Sequence, residues 1–198
     1  MFDPLDLWRV DPRLRQILHD QTPDQPSAAN RAAVARLVEL PTHLIDLLLA
    51  HGTVRTIYIG AGPVPDLDEM GRLRGQPVRE ERPDVLWDDT VAAFRSGMLL
   101  LGDLPDRPSV TCDVPAHEIG HAICVADDLA CYRDDFPALY RACQPVLCSP
   151  WDDRDEFYAE VWASVFVGNG DWLTSIVGGR MDLAEQLWVW FAMRYQLR

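Results

Sequence analysis

Five consecutive residues, His117-Glu118-Ile119-Gly120-His121, carry the clearest chemical signal in this sequence. On a helix the two histidines are four residues apart and lie on one face, where their imidazoles can bind one zinc ion. Glu118 can then reach a water on the metal and accept its proton. The pattern predicts a zinc site that hydrolyses peptide bonds, with Glu118 as the general base. The alternative is a buried helix whose histidines find ordinary hydrogen-bond partners.

The residues around this motif favour a buried helix. Residues 114–116 and 119–125 are mostly apolar, and Gly120 is small. Pro115 stands where a first helical turn tolerates proline, because the N–H that proline lacks would have no partner there. We therefore expect the motif to lie on a helix that is packed into the protein.

A third ligand must come from another part of the chain, because a catalytic zinc needs three protein ligands and one open position. No histidine follows His121. Glu156 and Glu160 stand four residues apart in the mostly apolar stretch 155–166, so they share one helix face. A carboxylate from this second helix would complete the site, and the spacing alone does not choose between the two. The alternative is an amphipathic helix with solvated glutamates.

The two motifs together resemble the anthrax lethal factor catalytic-domain family, which includes the bacterial Pro-Pro endopeptidases. The similar segments are HEIGHA at 117–122 and DEFYAEVWA at 155–163, preceded by LPTHLIDLLLAHG at 40–52 and a strand-like TIYIG at 56–60. The resemblance spans roughly residues 30 to 170, and only the first two segments are specific.

This resemblance implies a zincin-like zinc metallopeptidase. It assigns His117, His121 and Glu156 as zinc ligands and Glu118 as general base. It assigns Glu160 as a carboxylate that does not touch the metal but interacts with one of the metal ligands. The implied cofactor is Zn²⁺ and the implied partner is a peptide or protein substrate.

The sequence departs from this family at one position. Relatives carry a tyrosine seven residues before the ligand glutamate, where its hydroxyl stabilises the oxyanion, and here that position is Ser149. A serine is too short to replace the phenol, and loss of such a donor costs about 10²–10³ in rate. Possible substitutes are Tyr132, Tyr140, Tyr158 and Arg154, although Tyr158 should point away from the metal because it is two residues from Glu156 on the helix.

The pattern of elements predicts an α+β fold, in which a small mixed sheet packs against the active-site helix and further helices. We expect residues 1–29 to form an N-terminal extension and linker, and residues 30–198 to form the zinc metallopeptidase-like domain. Apolar stretches at 91–94 and 98–101, divided by Ser96-Gly97, predict a hairpin. Its second strand is either an edge strand that could hold extended substrate or an ordinary core strand.

Further elements follow from hydrophobic periodicity and from proline and glycine positions. A helical region is predicted from 28 to about 51 with a break near Pro41, then a strand within 53–60, loops over 61–87, and a short helix over 134–143. The final helix should bury its apolar side chains, Leu183, Leu187, Val189, Trp190 and Met193.

Composition limits the classes of partner. The net charge is −13, from 31 acidic and 18 basic residues, and every basic residue is arginine. This excess of negative charge argues against nucleic acid and suits a basic peptide. The missing lysines are explained by a GC-rich genome or by a toxin or effector that avoids ubiquitin attachment in a host. No apolar run reaches membrane-span length, so no membrane partner is expected.

The N-terminal residues are acidic where a signal peptide needs positive charge. We therefore expect a cytoplasmic protein, or one exported without a classical leader. The five cysteines, an odd number, form no CxxC pair, which favours free thiols. The alternative is a bridge from Cys131 to Cys143 or Cys148.

Two other functions fit the same residues. A phage-repressor type of zinc peptidase has a broadly similar pair of motifs and would cleave a DNA-binding regulator. A non-catalytic zinc-binding interaction module would explain the missing tyrosine, but it would have no need for Glu118.

Overall fold

The computed structural model describes residues 5–80, 82–104, 110–133 and 135–197. It divides into two compact units, residues 1–108 and residues 109–198. Both proposed metal-binding motifs belong to the second unit. In the part of the chain that is described, no helix is both long enough and apolar enough to cross a membrane.

The helices of the first unit are α1 (Pro12–Arg15), α2 (Ala28–Glu39) and α3 (Thr42–Leu49). Ser27 begins α2 with a capping box, in which its hydroxyl accepts from the Asn30 amide and the Asn30 side chain accepts from the Ser27 amide. Leu40 and Pro41 separate α2 from α3 in extended conformation. This confirms the predicted helical region and its break.

The first unit also contains a four-stranded mixed sheet. Its strands are β1 (Leu18–Gln21), β2 (Thr56–Gly60), β5 (Ala92–Arg95) and β6 (Met98–Leu101), and their spatial order is β1-β2-β6-β5. The β1–β2 and β2–β6 pairs are parallel, and β5–β6 is antiparallel. A separate hairpin joins β3 (Pro77–Arg79) to β4 (Arg82–Leu86).

Comparison with the predicted elements confirms the hairpin, decides between the two alternatives for its second strand, and adds three strands that were not predicted. The 92–101 hairpin is present, and both residues of its turn, Ser96 and Gly97, have positive φ. However, β6 is paired on both sides and is not an edge strand; the edges of the described sheet are β1 and β5. Within the predicted extension, β1 forms part of the sheet, and the predicted loop 61–87 contains the β3–β4 hairpin.

The second unit is helical in its described residues. It contains α4 (Val114–Ala126), α5 (Phe136–Cys143), α6 (Arg154–Phe166), α7 (Gly170–Ile176) and α8 (Met181–Tyr195). The centre of the unit is an aromatic core in which Phe136 contacts Phe157, Tyr158 and Phe191. Because α6 is buried along nearly its whole length, it is the central helix of this unit.

The buried face of α8 differs in part from the prediction. Leu183, Leu187, Phe191 and Tyr195 recur every four residues and are buried. Val189 is 47% exposed and Met193 is 76% exposed, because each lies two residues, or about 200° of helix, beyond a buried position. The prediction for these two residues was wrong.

The last turn of α4 is tied to α8. Asp127 follows α4, and its Oδ2 accepts hydrogen bonds from Nε of Arg194 at 2.6 Å and from the Tyr195 hydroxyl at 2.7 Å. This pair of contacts joins the end of the motif helix to the end of the last helix.

Together, the helices and the small mixed sheet confirm the α+β fold class. The domain boundary proposed at residue 29 stays a prediction.

Candidate metal centre

The helix α4 begins with a side-chain cap that fixes the motif. Asp113 precedes it in extended conformation, and its carboxylate accepts from the Ala116 amide at 2.9 Å. Pro115 lies in the first turn and is buried, as the sequence predicted. His117 is therefore held one turn into a well-capped helix, with only 6% of its surface exposed.

The helix α6 begins in the same way. Asp153 caps it, accepting from the Asp155 amide at 2.9 Å and from the Glu156 amide at 3.4 Å. This cap fixes the turn that carries Glu156, and Glu160 follows one turn later on the same face. Gly120 of α4 packs directly on the backbone of Ala159 of α6. The two helices therefore approach closely at the point between the two motifs.

Three potential ligands converge where the helices meet. Nε2 of His117 lies 3.1 Å from Nε2 of His121 and 3.3 Å from Oε2 of Glu156, and Nε2 of His121 lies 3.6 Å from the same carboxylate oxygen. One donor atom from each residue lies within 4.8 Å of the other two. Two imidazole nitrogens and one carboxylate oxygen suit a zinc ion with one position left open.

Glu160 lies behind His117 rather than beside the other two groups. Its Oε2 is 2.8 Å from Nδ1 of His117, and its side chain has no exposed surface. When Nδ1 of His117 carries the ring proton and donates it in a hydrogen bond to this carboxylate, Nε2 keeps its lone pair available to bind a metal. The structure thus separates the two glutamates that spacing could not: Glu156 faces the histidine nitrogens of the cluster, and Glu160 orients one imidazole.

The carboxylates strongly affect the proton affinity of His117. Burial alone lowers the pKa of this imidazole, but hydrogen bonds to Glu156 and Glu160 outweigh it and raise the pKa to about 10. Burial raises the pKa of the Glu156 carboxyl, and the hydrogen bonds to His117 and His121 more than reverse this, so the pKa falls below its ordinary value. The pKa of Glu160 is lowered mainly by His117, against the effect of burial. The cluster therefore stabilises positive charge, as expected of a cation site.

Two more groups lie next to the cluster. Glu118 is half-buried on α4, and its charge contributes to the raised pKa of His117. The ring of Trp151, which is buried, lies 6.0 Å from the ring of His117. The indole gives the cluster an apolar neighbour.

Two of the three tyrosines considered as substitutes for the missing phenol are hydrogen-bonded elsewhere. Tyr158 is fully buried and its hydroxyl bonds with that of Tyr195, so it does point into the core. Tyr140 donates to the carbonyl of Asp152. Tyr132 is 51% exposed, and desolvation together with the nearby carboxylate of Asp155 raises the pKa of its hydroxyl to about 12.

The fourth candidate, Arg154, lies over two of these tyrosine rings. Its guanidinium carbon is 4.7 Å from the centre of the Tyr132 ring and 5.4 Å from that of Tyr140. Ser149 is exposed. A substitute oxyanion donor is therefore not identified among these four side chains.

All five cysteines are free thiols, and the bridges considered from Cys131 to Cys143 or Cys148 are not formed. Instead, Sγ of Cys131 lies 2.8 Å from Sγ of Cys124, on the last turns of α4, and 3.2 Å from a carboxylate oxygen of Asp155. This contact was not predicted.

Sequence reasoning also missed the donors that hold Glu160. Oε1 of this carboxylate accepts from the Cys112 amide at 2.9 Å and from the indole Nε1 of Trp172. Trp172 lies on α7, a seven-residue helix that was not predicted because it is short and largely polar. Its position could be learned only from the packing of α7 against α6.

This architecture, an α+β chain with a His-Glu-x-x-His helix packed against a glutamate-bearing helix, belongs to the zincin-like class of folds. Among solved structures, the chain is similar to the Pro-Pro endopeptidase PPEP-2 from Paenibacillus alvei. The identity is 18%, the TM-score is 0.64, and the match covers 88% of this chain and 98% of that chain. No family profile and no curated protein sequence matches this chain.

Proposed function

We propose that this protein is a zinc-dependent metallopeptidase, with His117, His121 and Glu156 as the zinc ligands. The observation that carries the proposal is the convergence of their three donor atoms within 4.8 Å on two helices packed at Gly120. The chemistry of this donor set fits zinc, and the carboxylate behind His117 is typical of metal-binding histidines.

The roles of the side chains follow from their positions. A bound zinc ion supplies Lewis acidity that polarises a peptide carbonyl and lets water give up a proton near neutral pH. Glu118 accepts that proton and passes it to the leaving amine. Glu160 keeps the Nδ1 proton of His117 in place, so that Nε2 faces the metal. The buried ring of Trp151 lies beside His117 and gives that side of the site an apolar surface.

A peptide bond is the substrate that this chemistry serves best. The similar solved structure is named as a Pro-Pro endopeptidase, which supports a peptide or protein substrate for this chain too. The net charge of −13 favours peptides with basic residues. A peptidase that cleaves a DNA-binding regulator would use the same groups and is the second form of this proposal.

A non-catalytic zinc-binding interaction module is the other candidate. It is favoured by Ser149 in place of the family's tyrosine and by the hydrogen bonds that engage Tyr140 and Tyr158 elsewhere. Retention of Glu118 in the motif weighs against it, because a purely structural zinc site does not use this carboxylate.

Metal analysis and peptide cleavage together test the proposal. Protein purified without added metal should contain one zinc per chain, and it should cleave members of a peptide library. Glu118→Gln should keep the zinc and the fold and lose the cleavage, since glutamine has nearly the same shape and cannot accept the proton. Cleavage at an unchanged rate in this variant would assign the activity to another site. Zinc without cleavage of any peptide would favour the interaction module.

A further inference from the structure

Donors from outside the metal-binding motifs hold the buried carboxylate of Glu160. Its Oε2 bonds Nδ1 of His117, whereas its Oε1 accepts from the Cys112 amide and from the indole of Trp172. A buried carboxylate without such partners is costly. Each oxygen of Glu160 therefore has a separate task, one toward His117 and one toward the donors that fix the group.

The indole of Trp172 is suited to fixing this carboxylate. An indole has one N–H donor and no acceptor, and its ring sets the direction of that donor. It adds no positive charge, so it does not compete with a metal ion for the negative charge of Glu160. The ring is itself placed by α7, which begins with Asn169 accepting from the Trp172 amide at 3.1 Å.

We propose that Trp172 is a positioning residue for the zinc site. It holds Glu160 in the orientation that keeps Nδ1 of His117 engaged and Nε2 turned toward the metal. This inference rests on the proposed zinc function. It extends the site by one further layer, from His117 through Glu160 to a short helix that neither motif includes.

Trp162 provides a matched comparison on the same helix as Glu160. It is fully buried, and its Nε1 has no hydrogen-bond partner among the described residues. Its indole therefore contributes packing alone, whereas that of Trp172 contributes a directed hydrogen bond. Replacing each by phenylalanine separates the two effects.

Zinc affinity, measured by competition with a chromophoric chelator, tests the role of Trp172. Trp172→Phe should bind zinc about tenfold more weakly, the lower end of the range for groups that support metal ligands. Trp162→Phe should bind zinc like the wild type, even if it unfolds at a lower temperature. Trp172→Phe should add little further loss in a Glu160→Gln background, because the two residues act through one path. Wild-type affinity in Trp172→Phe, or an equal loss in Trp162→Phe, would overturn the proposal.

A second measurement does not depend on zinc. In NMR spectra of the metal-free protein, the chemical shift of the Trp172 indole Nε1 proton should differ from that of a solvent-exposed indole. This chemical shift should change in Glu160→Gln, whereas that of the Trp162 indole proton should not change. If the wild type binds no zinc, the proposed function fails, but this contact is still tested. An indole signal of Trp172 that does not respond to Glu160→Gln would overturn the inference by itself.

A different observation carries a second inference. Cys124 and Cys131 are both buried, and their sulfur atoms lie only 2.8 Å apart, closer than unbonded sulfur atoms normally approach. Cys131 also donates to Asp155 and its backbone amide to Sγ of Cys124, so this turn is firmly placed. We infer that Cys124 and Cys131 form a reversible disulfide that links α4 to the turn after it.

The oxidant would be a small-molecule disulfide. The Cys124 thiol loses its proton and attacks one sulfur of that disulfide, which releases one small thiol and leaves a mixed disulfide. The Cys131 thiolate then attacks Sγ of Cys124 and releases the second small thiol. Two protein thiols are oxidised and one small disulfide is reduced to two thiols.

Mass spectrometry after treatment with 2-hydroxyethyl disulfide tests this inference. The intact chain should lose two hydrogens, and two thiols should become resistant to alkylation. Cys124→Ser and Cys131→Ser should abolish this loss, whereas Cys112→Ser and Cys148→Ser should retain it. Unchanged loss in the first two variants, or a stable adduct on the exposed Cys148 alone, would overturn the inference.

Discussion

Gly120 and Ala159 approach so closely that a β-carbon on the glycine would lie 2.8 Å from the carbonyl oxygen of Ala159 and 2.9 Å from its Cα. Both are backbone atoms of a buried helix, so neither can move aside without moving α6. The contact thus sets the separation between the helix that carries His117 and His121 and the helix that carries Glu156. The glycine is needed for close approach and not for an unusual φ.

Gly120→Ala should therefore weaken zinc binding and lower the free energy of unfolding by about 1–3 kcal/mol, the usual cost of overpacking a core. Thermal unfolding and zinc titration measure the two effects. Gly170→Ala is the control, because its new β-carbon would meet only the ring of Trp188 at 3.8 Å. Equal behaviour of the two variants would contradict the packing argument.

The two glutamates of α6 should differ in what they do for the metal. Glu156→Gln should abolish stoichiometric zinc binding, since it removes a negatively charged ligand. Glu160→Gln should weaken zinc binding by about 10–100-fold, because it disturbs the orientation of His117. Elemental analysis after dialysis distinguishes them. Zinc retained in Glu156→Gln and lost in Glu160→Gln would move the ligand by one helical turn.

The raised pKa of His117 predicts how the metal-free protein responds to pH. The folded value of about 10 lies above the ordinary 6.5, so protonated His117 stabilises the fold fully below about pH 6.5, and this contribution is lost as the pH rises through 10. Without metal, the melting temperature should fall between pH 7 and 10.

The zinc-loaded protein should lack this pH-dependent component of stability, because zinc takes the place of the Nε2 proton beside Glu156 while the Nδ1 proton stays with Glu160. Thermal unfolding with and without chelator, with metal-free His117→Asn as the control, tests this. Parallel curves for the wild type and His117→Asn without metal would contradict the assignment.

Ser149 predicts slow peptide cleavage, because its side chain is too short to donate a hydrogen bond to the oxyanion from the position where the family that the motifs resemble carries a tyrosine. Ser149→Tyr should raise kcat, by as much as about 10²-fold if the hydroxyl reaches the oxyanion. The side chain is exposed, so a larger one can be accommodated. Ser149→Phe, which adds the ring without the hydroxyl, should leave kcat at the wild-type level. A fast wild-type enzyme would show that another group supplies the donor.

The motif helices could be predicted because their signals are local. Pro115 stands in the first turn of α4, and Glu156 and Glu160 stand at helical spacing within the mostly apolar stretch of α6. The strand β1 could not be predicted, because its residues are mostly polar and it exists through parallel pairing with β2, 35 or more residues later. The buried face of α8 was predicted only in part, because its residues were assigned by their apolar type and not by their angular position around the helix axis.

The site shows the same limit. The spacing of Glu156 and Glu160 puts them on one helix face but does not show which is nearer the histidine nitrogens. That depends on the position of α6 along the axis of α4, and the contact of Gly120 with Ala159 fixes this position. Trp172 joins the site only through the packing of α7, which no local pattern reveals.

The hydrogen bonds from Arg194 and Tyr195 to Asp127 imply unequal tolerance to substitution along the last helix. Asp127 places a negative charge at the carbonyl end of α4, where the helix dipole disfavours it, and Arg194 supplies the compensating cation. Met193, the preceding residue, is 76% exposed. Among related chains, we expect position 193 to accept many residue types, whereas positions 127 and 194 should change together or not at all.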